Sequence, residues 1–265
     1  MADNYSFSTA ALFPRTAAES LRLIAGAGFS HAELMPQSFA EADERFAATA
    51  EKCGVHVASI HYPLAMFSML YNAGDSMVSE ARRFGDGLVR LCHALDAKVL
   101  VVHPHDPGKD PAHADLLEAP IRKNLRLLGE ACEAAGVMLA IENSPKGPGR
   151  SPAGLLAYIE ALGAGPAAAP MVDTTESCEA DEDPVAFIAA TKPCHLHLSD
   201  HAGDQKHIPA GEGEIDWPGV RDALRGFGYS GYYTLEPLYR HYLDAPEAAL
   251  EKAYAFISGL IGVKA

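Results

Sequence analysis

The stretch KVLVVHP at residues 98–104 and the stretch VMLAIEN at residues 137–143 decide the fold. Each is a nearly continuous apolar run that ends in a side chain able to bind a metal or move a proton, His103 in the first and Glu142 in the second. Strands that are covered on both faces have this composition, because neither face meets water. The two stretches therefore predict buried strands of a parallel sheet with chemically active carboxyl ends.

The same pattern recurs along the chain, with a helical pattern between one strand and the next. Thr16 and Glu19 form a capping-box pair at the start of the first predicted helix, and Ile121, Leu125 and Leu128 recur at helical spacing. The predicted strands are 5–8, 31–35, 55–61, 98–103, 137–142, 170–173, 195–199 and 232–236. Eight such alternations are typical of two folds, a closed (β/α)8 barrel and a doubly wound open sheet. We predict a single (β/α)8-barrel domain that spans residues 1–265. Loops rich in glycine, proline and polar residues are predicted at 104–112, 143–152 and 200–215, each after a strand.

Composition and charge exclude several classes of protein. The chain has 265 residues, of which 48% are hydrophobic, enough for a sizeable core. Its 21 basic and 35 acidic residues give a formal net charge of −14, which argues against nucleic acid as a partner. No apolar run approaches the ~18 residues that a membrane span requires. The five scattered cysteines and the lack of a signal-peptide pattern predict a cytoplasmic protein.

Six of the eight predicted strands end in a side chain with metal-binding or acid–base chemistry: His61, His103, Glu142, Asp173, His197 and Glu236. Charged groups behind apolar runs need a partner, because burying an unpaired charge is costly. We expect one divalent cation held by Glu142, Asp173, His197 and Glu236. Three carboxylates and one imidazole suit Mn²⁺, Mg²⁺ or Co²⁺, while further histidines favour Zn²⁺ and leave room for a second zinc.

A second pattern is the loop HIPAGEGEIDW at residues 207–217. Two interpretations of its two glycines are open: they let the backbone turn tightly close to a ligand, or they belong to a loop that takes no part in chemistry. Asp216 is expected to cap the following helix. His207 is expected to fold back over the site, since its loop follows the strand that carries His197.

Together these motifs resemble the xylose isomerase-like barrel superfamily, which includes sugar (phosphate) isomerases and epimerases and the AP endonuclease 2 family. The motifs are H-Y-P at 61–63, V-H-P at 102–104, I-E-N at 141–143, V-D-T at 172–174, H-L-S-D at 197–200, the loop at 207–217 and L-E-P at 235–237. The resemblance implies a (β/α)8 barrel with the same four metal ligands. It also implies that Glu142 and Glu236 act as a proton-shuttling pair.

The resemblance further implies that His61, His103 and His207 contact substrate or a second metal. Three positions differ from the family patterns: Glu176 stands in the histidine place of D-T-x-H, Gln205 in an aspartate place of the endonucleases, and Pro148 in a glutamate place of the epimerases. Glu176 is therefore also a candidate for contact with the substrate or a second metal.

The leading functional hypothesis is a metal-dependent isomerase or epimerase in carbohydrate metabolism, acting on a small sugar or sugar phosphate. A metal-stabilised enediolate would form when one glutamate removes a proton beside a carbonyl. A dehydratase acting on a polyol or keto acid would share this chemistry. The alternatives are a zinc-dependent phosphodiesterase resembling the AP endonucleases, using His61, His103 and Glu142, and a barrel that only binds a metabolite.

Overall fold

The computed structural model describes residues 4–105 and 113–262. The predicted loop at 104–112 therefore lies mostly outside the described residues. The strands are β1 (Tyr5–Ser8), β2 (His31–Leu34), β3 (His56–His61), β4 (Val99–Val102), β5 (Met138–Glu142), β6 (Ala168–Asp173), β7 (His195–Leu198), β8 (Asp200–Ala202), β9 (Gln205–Ile208) and β10 (Tyr233–Leu235). The helices are α1 (Ala17–Gly26), α2 (Ala47–Ala50), α3 (Phe67–Leu70), α4 (Val78–Leu95), α5 (Ala114–Ala135), α6 (Pro152–Leu162), α7 (Thr174–Glu179), α8 (Pro184–Thr191), α9 (Trp217–Gly226) and α10 (Pro246–Gly262).

Within the described ranges, eight parallel strands close into a barrel in the order β1-β10-β7-β6-β5-β4-β3-β2. Strand β1 closes the ring because it pairs with β2 on one side and β10 on the other. This closure confirms the barrel and excludes the open sheet. No helix of the described residues combines the length and the apolar character that a membrane crossing requires.

Sequence patterns located the strands to within about two residues. The largest shift is in β6, which begins at Ala168 rather than 170 because its first residues already pair with Leu139 and Ala140 of β5. The predicted capping box is present, with the Thr16 side chain accepting from the Glu19 amide. The barrel core and the surrounding layer of helices therefore follow directly from the apolar runs.

The prediction of a loop at 200–215 is wrong for its first half, which forms two strands. Strands β8 and β9 pair there as an antiparallel hairpin, with Asp200 opposite Ile208 and Ala202 opposite Gln205. The mostly polar residues of β9 gave no strand signal, because only the last of them, Ile208, is buried. The hairpin positions the residues that follow β7 above the barrel end.

Candidate functional site

The four predicted metal ligands meet at the carboxyl end of the barrel. Their ligand atoms lie within 4.8 Å of one another. Nδ1 of His197 is 3.1 Å from Oε1 of Glu142 and 2.7 Å from Oε2 of Glu236. Glu142 and Asp173 are the last residues of β5 and β6, and Glu236 directly follows β10. The closed barrel therefore brings together side chains that are up to 94 residues apart, from Glu142 to Glu236.

Two carboxylate oxygens of this cluster are buried without a hydrogen-bond donor among the described residues. Oδ1 of Asp173 accepts from the backbone amides of Thr175 and Glu176 at the start of α7, at 2.7 and 3.0 Å. Its other oxygen, Oδ2, is buried and accepts no hydrogen bond from the described residues. Oε2 of Glu142 is also buried and accepts no hydrogen bond from the described residues. Nε2 of His103 lies 3.0 Å from it, but not in hydrogen-bond geometry. Buried carboxylate oxygens without donors fit a divalent cation, which prefers such ligands.

The cluster strongly perturbs its own protonation. Burial raises the pKa of Asp173 to about 7, and the charges of Glu142 and Glu176 add to this effect. Burial alone would lower the pKa of His197, but the charges of Glu236, Glu33 and Glu142 raise it well above its usual value. The pKa of Glu142 would rise on burial, but His197 and His103 hold it well below its usual range. Without a cation, His197 is therefore an imidazolium that neutralises its carboxylate neighbours.

These shifts predict how stability depends on pH. The pKa values of Asp173, His197 and His207 are all higher in the folded protein than in the unfolded chain, so folding favours their protonated forms. Because the unfolded state then binds fewer protons, the stability that they contribute is lost as pH rises through the folded pKa values. We expect the free energy of unfolding of chelator-treated protein, measured by urea titration, to fall between about pH 6 and pH 9.

Addition of Mn²⁺ should reduce this pH dependence, because a cation replaces protons on the same side chains. Mn²⁺ should also bind more tightly as pH rises, with release of protons that calorimetry in two buffers detects. Metal-free protein that gains stability over the same range would contradict the prediction.

Glu33 is a site residue that sequence reasoning missed. Its carboxylate is fully buried beneath the metal ligands, with Oε1 2.7 Å from Nε2 of His197 and Oε2 2.8 Å from Nε2 of His195. Ser59 donates to the same Oε2 at 2.8 Å. An ionised carboxylate only accepts, so Nε2 of His197 carries a proton and Nδ1 is left to face the ligand cluster. The sequence carries a weak signal, since Glu33 is a charged residue inside the short predicted strand at 31–35.

His195 lies one layer below His197, as the alternation of the strand predicted, and its imidazole contacts Glu33 rather than the pocket. Glu33 therefore fixes the ring of His197 from below.

We expect Glu33→Gln to weaken metal binding by about 10–100-fold, the usual effect of losing the hydrogen-bond partner of a ligating histidine. The amide can present its N–H₂ group to Nε2 of His197 and so change which ring nitrogen is protonated. Calorimetric titration with Mn²⁺ measures the effect, and thermal unfolding checks that the variant folds. Ser59→Ala is the matched control, because it leaves both contacts of Glu33 with histidine in place. Equal affinity for Glu33→Gln and wild type would contradict this role.

His61 and His103 form a second group with Glu142. One ligand atom from each of these three residues lies within 4.8 Å of the others. Nδ1 of His61 donates to the carbonyl of Tyr62 at 2.7 Å, so its Nε2 faces Oε2 of Glu142 at 3.7 Å. Tyr71 donates to the carbonyl of His103 at 2.5 Å. Both histidines therefore face the pocket beside Glu142, as predicted.

His207 and Glu176 lie close together on the side of Asp173 that is away from Glu142. The hairpin places Nε2 of His207 3.5 Å from Oε1 of Glu176, while its Nδ1 lies 3.2 Å from Oγ of Ser199. Burial would lower the pKa of His207, but the charges of Asp173 and Glu176 raise it to about 9. Oε2 of Glu176 is buried and has no hydrogen-bond partner within the described part of the chain. The pair offers a cationic donor and a carboxylate acceptor at the pocket wall.

The glycines of the 207–217 loop pack against protein. Gly211 has a φ of +90°, and a Cβ there would lie 2.5 Å from the ring of Phe256. A Cβ on Gly213 would lie 2.3 Å from the carboxylate of Asp200. The interpretation of these glycines as a close approach to a ligand is therefore wrong, since space for Phe256 and Asp200 explains both. Asp216 caps α9 as predicted, accepting from the Gly219 amide at 3.0 Å.

The predicted site residues line a single cavity of about 520 Å³ at the barrel mouth, apart from His197, which lies beneath it. His61, His103, Glu142, Asp173, Glu176, His207 and Glu236 all contribute to its wall. The remaining lining residues are Ala10, Phe13, Met35, Pro36, Gln37, Leu64, Ala65, Pro237, Leu238 and Tyr239. The described lining therefore contains carboxylates and histidines but neither lysine nor arginine.

Several solved structures have the same fold. The 3-keto-D-glucoside 4-epimerase from E. coli is 17% identical, with 97% of this chain and 99% of that chain covered and a TM-score of 0.76. A D-allulose 3-epimerase from Methylomonas sp., solved with D-allulose, is 15% identical, with 96% of each chain covered and a TM-score of 0.75. A D-psicose 3-epimerase with D-tagatose from Clostridium cellulolyticum H10 is 14% identical, with 97% and 99% covered and a TM-score of 0.74.

At these identities the likeness shows the fold. No protein of curated function matches the sequence significantly. The family model of the xylose isomerase-like TIM barrel matches residues 21–259, which is most of the chain. The chain therefore belongs to the xylose isomerase-like TIM barrel family.

Proposed function

We propose that the protein is a metal-dependent sugar epimerase or isomerase that moves a proton beside a carbonyl group. One observation carries this proposal. Glu142 and Glu236 reach His197 from strands on either side of β6 and β7, with Asp173 between them, at the floor of a pocket of monosaccharide size or larger. Two carboxylates that flank one ligand site can each exchange a proton with the substrate. The sugar epimerases of the same fold support this chemistry.

The residues present fit one divalent cation, which Glu142, Asp173, His197 and Glu236 would hold. When bound, it would supply Lewis-acid polarisation of a substrate carbonyl and the adjacent hydroxyl. This set of donor atoms suits Mn²⁺, Mg²⁺, Co²⁺ or Zn²⁺.

The acid–base roles fall to the two glutamates. Glu236 is held by Ser8, which donates to its Oε1 at 2.8 Å, and by His197 on its other oxygen. Glu142 presents its unpartnered Oε2 to the pocket beside His61 and His103. One glutamate would remove the proton to give the enediolate, and the other would return a proton to the same carbon from the opposite face. The imidazolium of His207 and the carboxylate of Glu176 would hold substrate hydroxyl groups.

A second candidate function is metal-assisted phosphodiester hydrolysis. It is favoured by the group of His61, His103 and Glu142, which has the spacing to hold a second metal such as Zn²⁺. The net charge of −14 and the described lining without lysine or arginine count against a phosphate-backbone substrate. We therefore propose the small sugar as substrate and assign His61 and His103 to its hydroxyl groups.

Proton exchange with solvent tests the proposal directly. Metal-loaded protein is incubated in D₂O with a panel of ketoses and keto-sugars, and NMR follows deuterium entering the carbon beside the carbonyl. We expect metal-dependent exchange with at least one member and its loss after chelation. If no sugar of the panel exchanges its proton and the metal-loaded protein nicks abasic DNA, the hydrolase is favoured instead.

A further inference from the structure

The pocket has two halves of opposite character. The barrel order places β4, β5, β6 and β7 in a row. The last residues of these strands and the loops that follow them contribute His103, Glu142, Asp173, Glu176 and His207 to the pocket. The loops after β10, β1, β2 and β3, which are also in a row, contribute Leu238, Tyr239, Phe13, Met35, Leu64 and Ala65. Among the described lining residues, one half of the rim is polar and the other is apolar, apart from His61 and Glu236 at the boundary and Gln37 after β2.

The apolar half is open and built from large side chains. Phe13 is 47% exposed, Leu64 52% and Tyr239 38%, although they border a polar catalytic cluster. The rings of Phe13 and Tyr239 pack edge to face with centroids 5.3 Å apart. Contiguous apolar surface next to polar groups marks a ligand-binding surface, because leaving it in water is unfavourable. This surface is continuous with the site where the proposed chemistry takes place.

The polar side chains of this half offer little to a second sugar ring. Among the described lining residues the apolar half contains one amide, Gln37, whose Nε2 donates to the carbonyl of Arg15 at 3.1 Å. Besides this amide only the hydroxyl of Tyr239 is available there among the described side chains, so most hydroxyl groups of a second sugar would lose water without gaining partners. The cavity of about 520 Å³ lies within the range of ~300–1,000 Å³ that holds drug-sized ligands, which are larger than one hexose. The occupant of the apolar half is therefore an apolar group rather than a sugar or an ion.

We propose that the substrate is a glycoside with an alkyl or aryl aglycone, bound with its sugar at the polar half and its aglycone on Phe13, Leu64 and Tyr239. This inference rests on the proposed function. An aglycone at the anomeric carbon consumes the anomeric carbonyl, so the reacting ketone must be elsewhere in the sugar ring. The proton leaves a ring carbon next to that ketone for a glutamate and returns to the same carbon, with no net oxidation.

Binding of glucose and of methyl, butyl and hexyl glucoside to the metal-loaded protein tests the apolar half, because these compounds carry no ketone and do not react. We expect calorimetric affinity to increase by about fourfold for each methylene added. Leu64→Gln should flatten this dependence on chain length. Leu156→Gln, at a 40% exposed position on the outer helix α6, is the matched control and should keep it.

The outcomes separate this proposal from the proposed function. Affinity that does not change along the series, or a dependence that survives in Leu64→Gln and Phe13→Ser alike, overturns the glycoside assignment. Deuterium exchange into free ketoses would then leave the epimerase proposal standing. Chain-length dependence that Leu64→Gln removes supports the aglycone site even where no sugar exchanges its proton, in which case only the proposed function fails.

Discussion

Glu236→Gln is expected to lower the rate of proton exchange by about 10²–10⁴-fold, the usual contribution of a positioned acid or base. The amide keeps the shape of the side chain and one oxygen for the cation, but it takes no proton. The N–H₂ group then takes the place of Oε1, and the Ser8 hydroxyl can accept from it instead of donating, so the local structure should persist. The measurement is deuterium incorporation into the substrate at saturating Mn²⁺, with metal content determined by elemental analysis.

The control for Glu236→Gln is Glu251→Gln, which removes the same charge from an exposed position of α10. It should exchange protons at the wild-type rate. Full activity of Glu236→Gln with a full complement of metal would refute the proton-shuttle role and leave Glu236 as a ligand only. Reduced metal content with activity restored by excess Mn²⁺ would lead to the same conclusion.

Asp200→Ala is expected to destabilise the protein by about 3 kcal/mol, because it removes the acceptor of the buried Nε1 of Trp217 and of two part-buried loop amides, and a buried donor left unpaired costs about 1–3 kcal/mol. The carboxylate of Asp200 is fully buried. It accepts from the amides of Gly211 and Ile215 at 2.9 and 3.1 Å and from Nε1 of Trp217 at 2.8 Å. These bonds hold the loop after β9 against the barrel, so the position of His207 should loosen as well. The melting temperature should fall by about 10 °C.

Thermal and urea unfolding measure the effect of Asp200→Ala. Asp222→Ala is the control, because Asp222 is a 63% exposed aspartate of α9 that pairs only with its neighbour Arg221 in the described structure. It should change stability by no more than about 0.5 kcal/mol. An unchanged melting temperature for Asp200→Ala would show that water replaces the carboxylate, and that Asp200 is not needed to hold the loop after β9 against the barrel.

The strand-end chemistry could be predicted from the sequence because each functional group follows its own apolar run. Glu142 and Asp173 end their strands, and parallel strands of a barrel place their carboxyl ends together. Glu33 does not follow such a run, because it lies inside the short strand HAEL after a single alanine. Its role depends on two histidines that lie more than 160 residues away along the chain. A contact of that separation has no local signature.

Asp200 and the hairpin illustrate a second limit of prediction from sequence, which concerns the contacts made within a folded loop. The motif H-L-S-D marks Asp200, and the two glycines mark a tight loop, but the sequence does not say which groups the carboxylate or the glycines contact. In the structure the carboxylate binds the loop amides, and Gly213 leaves space for it. Side-chain partners across a folded loop depend on its path, which short-range propensities do not determine.

The sequence by itself determined the repeating strand–helix order and the residue types at the strand ends, because burial on both faces of a strand requires apolar runs and tolerates charge only at their ends. Tertiary structure alone decided that the sheet closes, since closure depends on the pairing of β1 with β10 across the whole chain. Closure also placed the apolar loops of β10, β1, β2 and β3 side by side, opposite the carboxylates. The division of the pocket into two halves is thus a property of strand order around the barrel, which no local segment encodes.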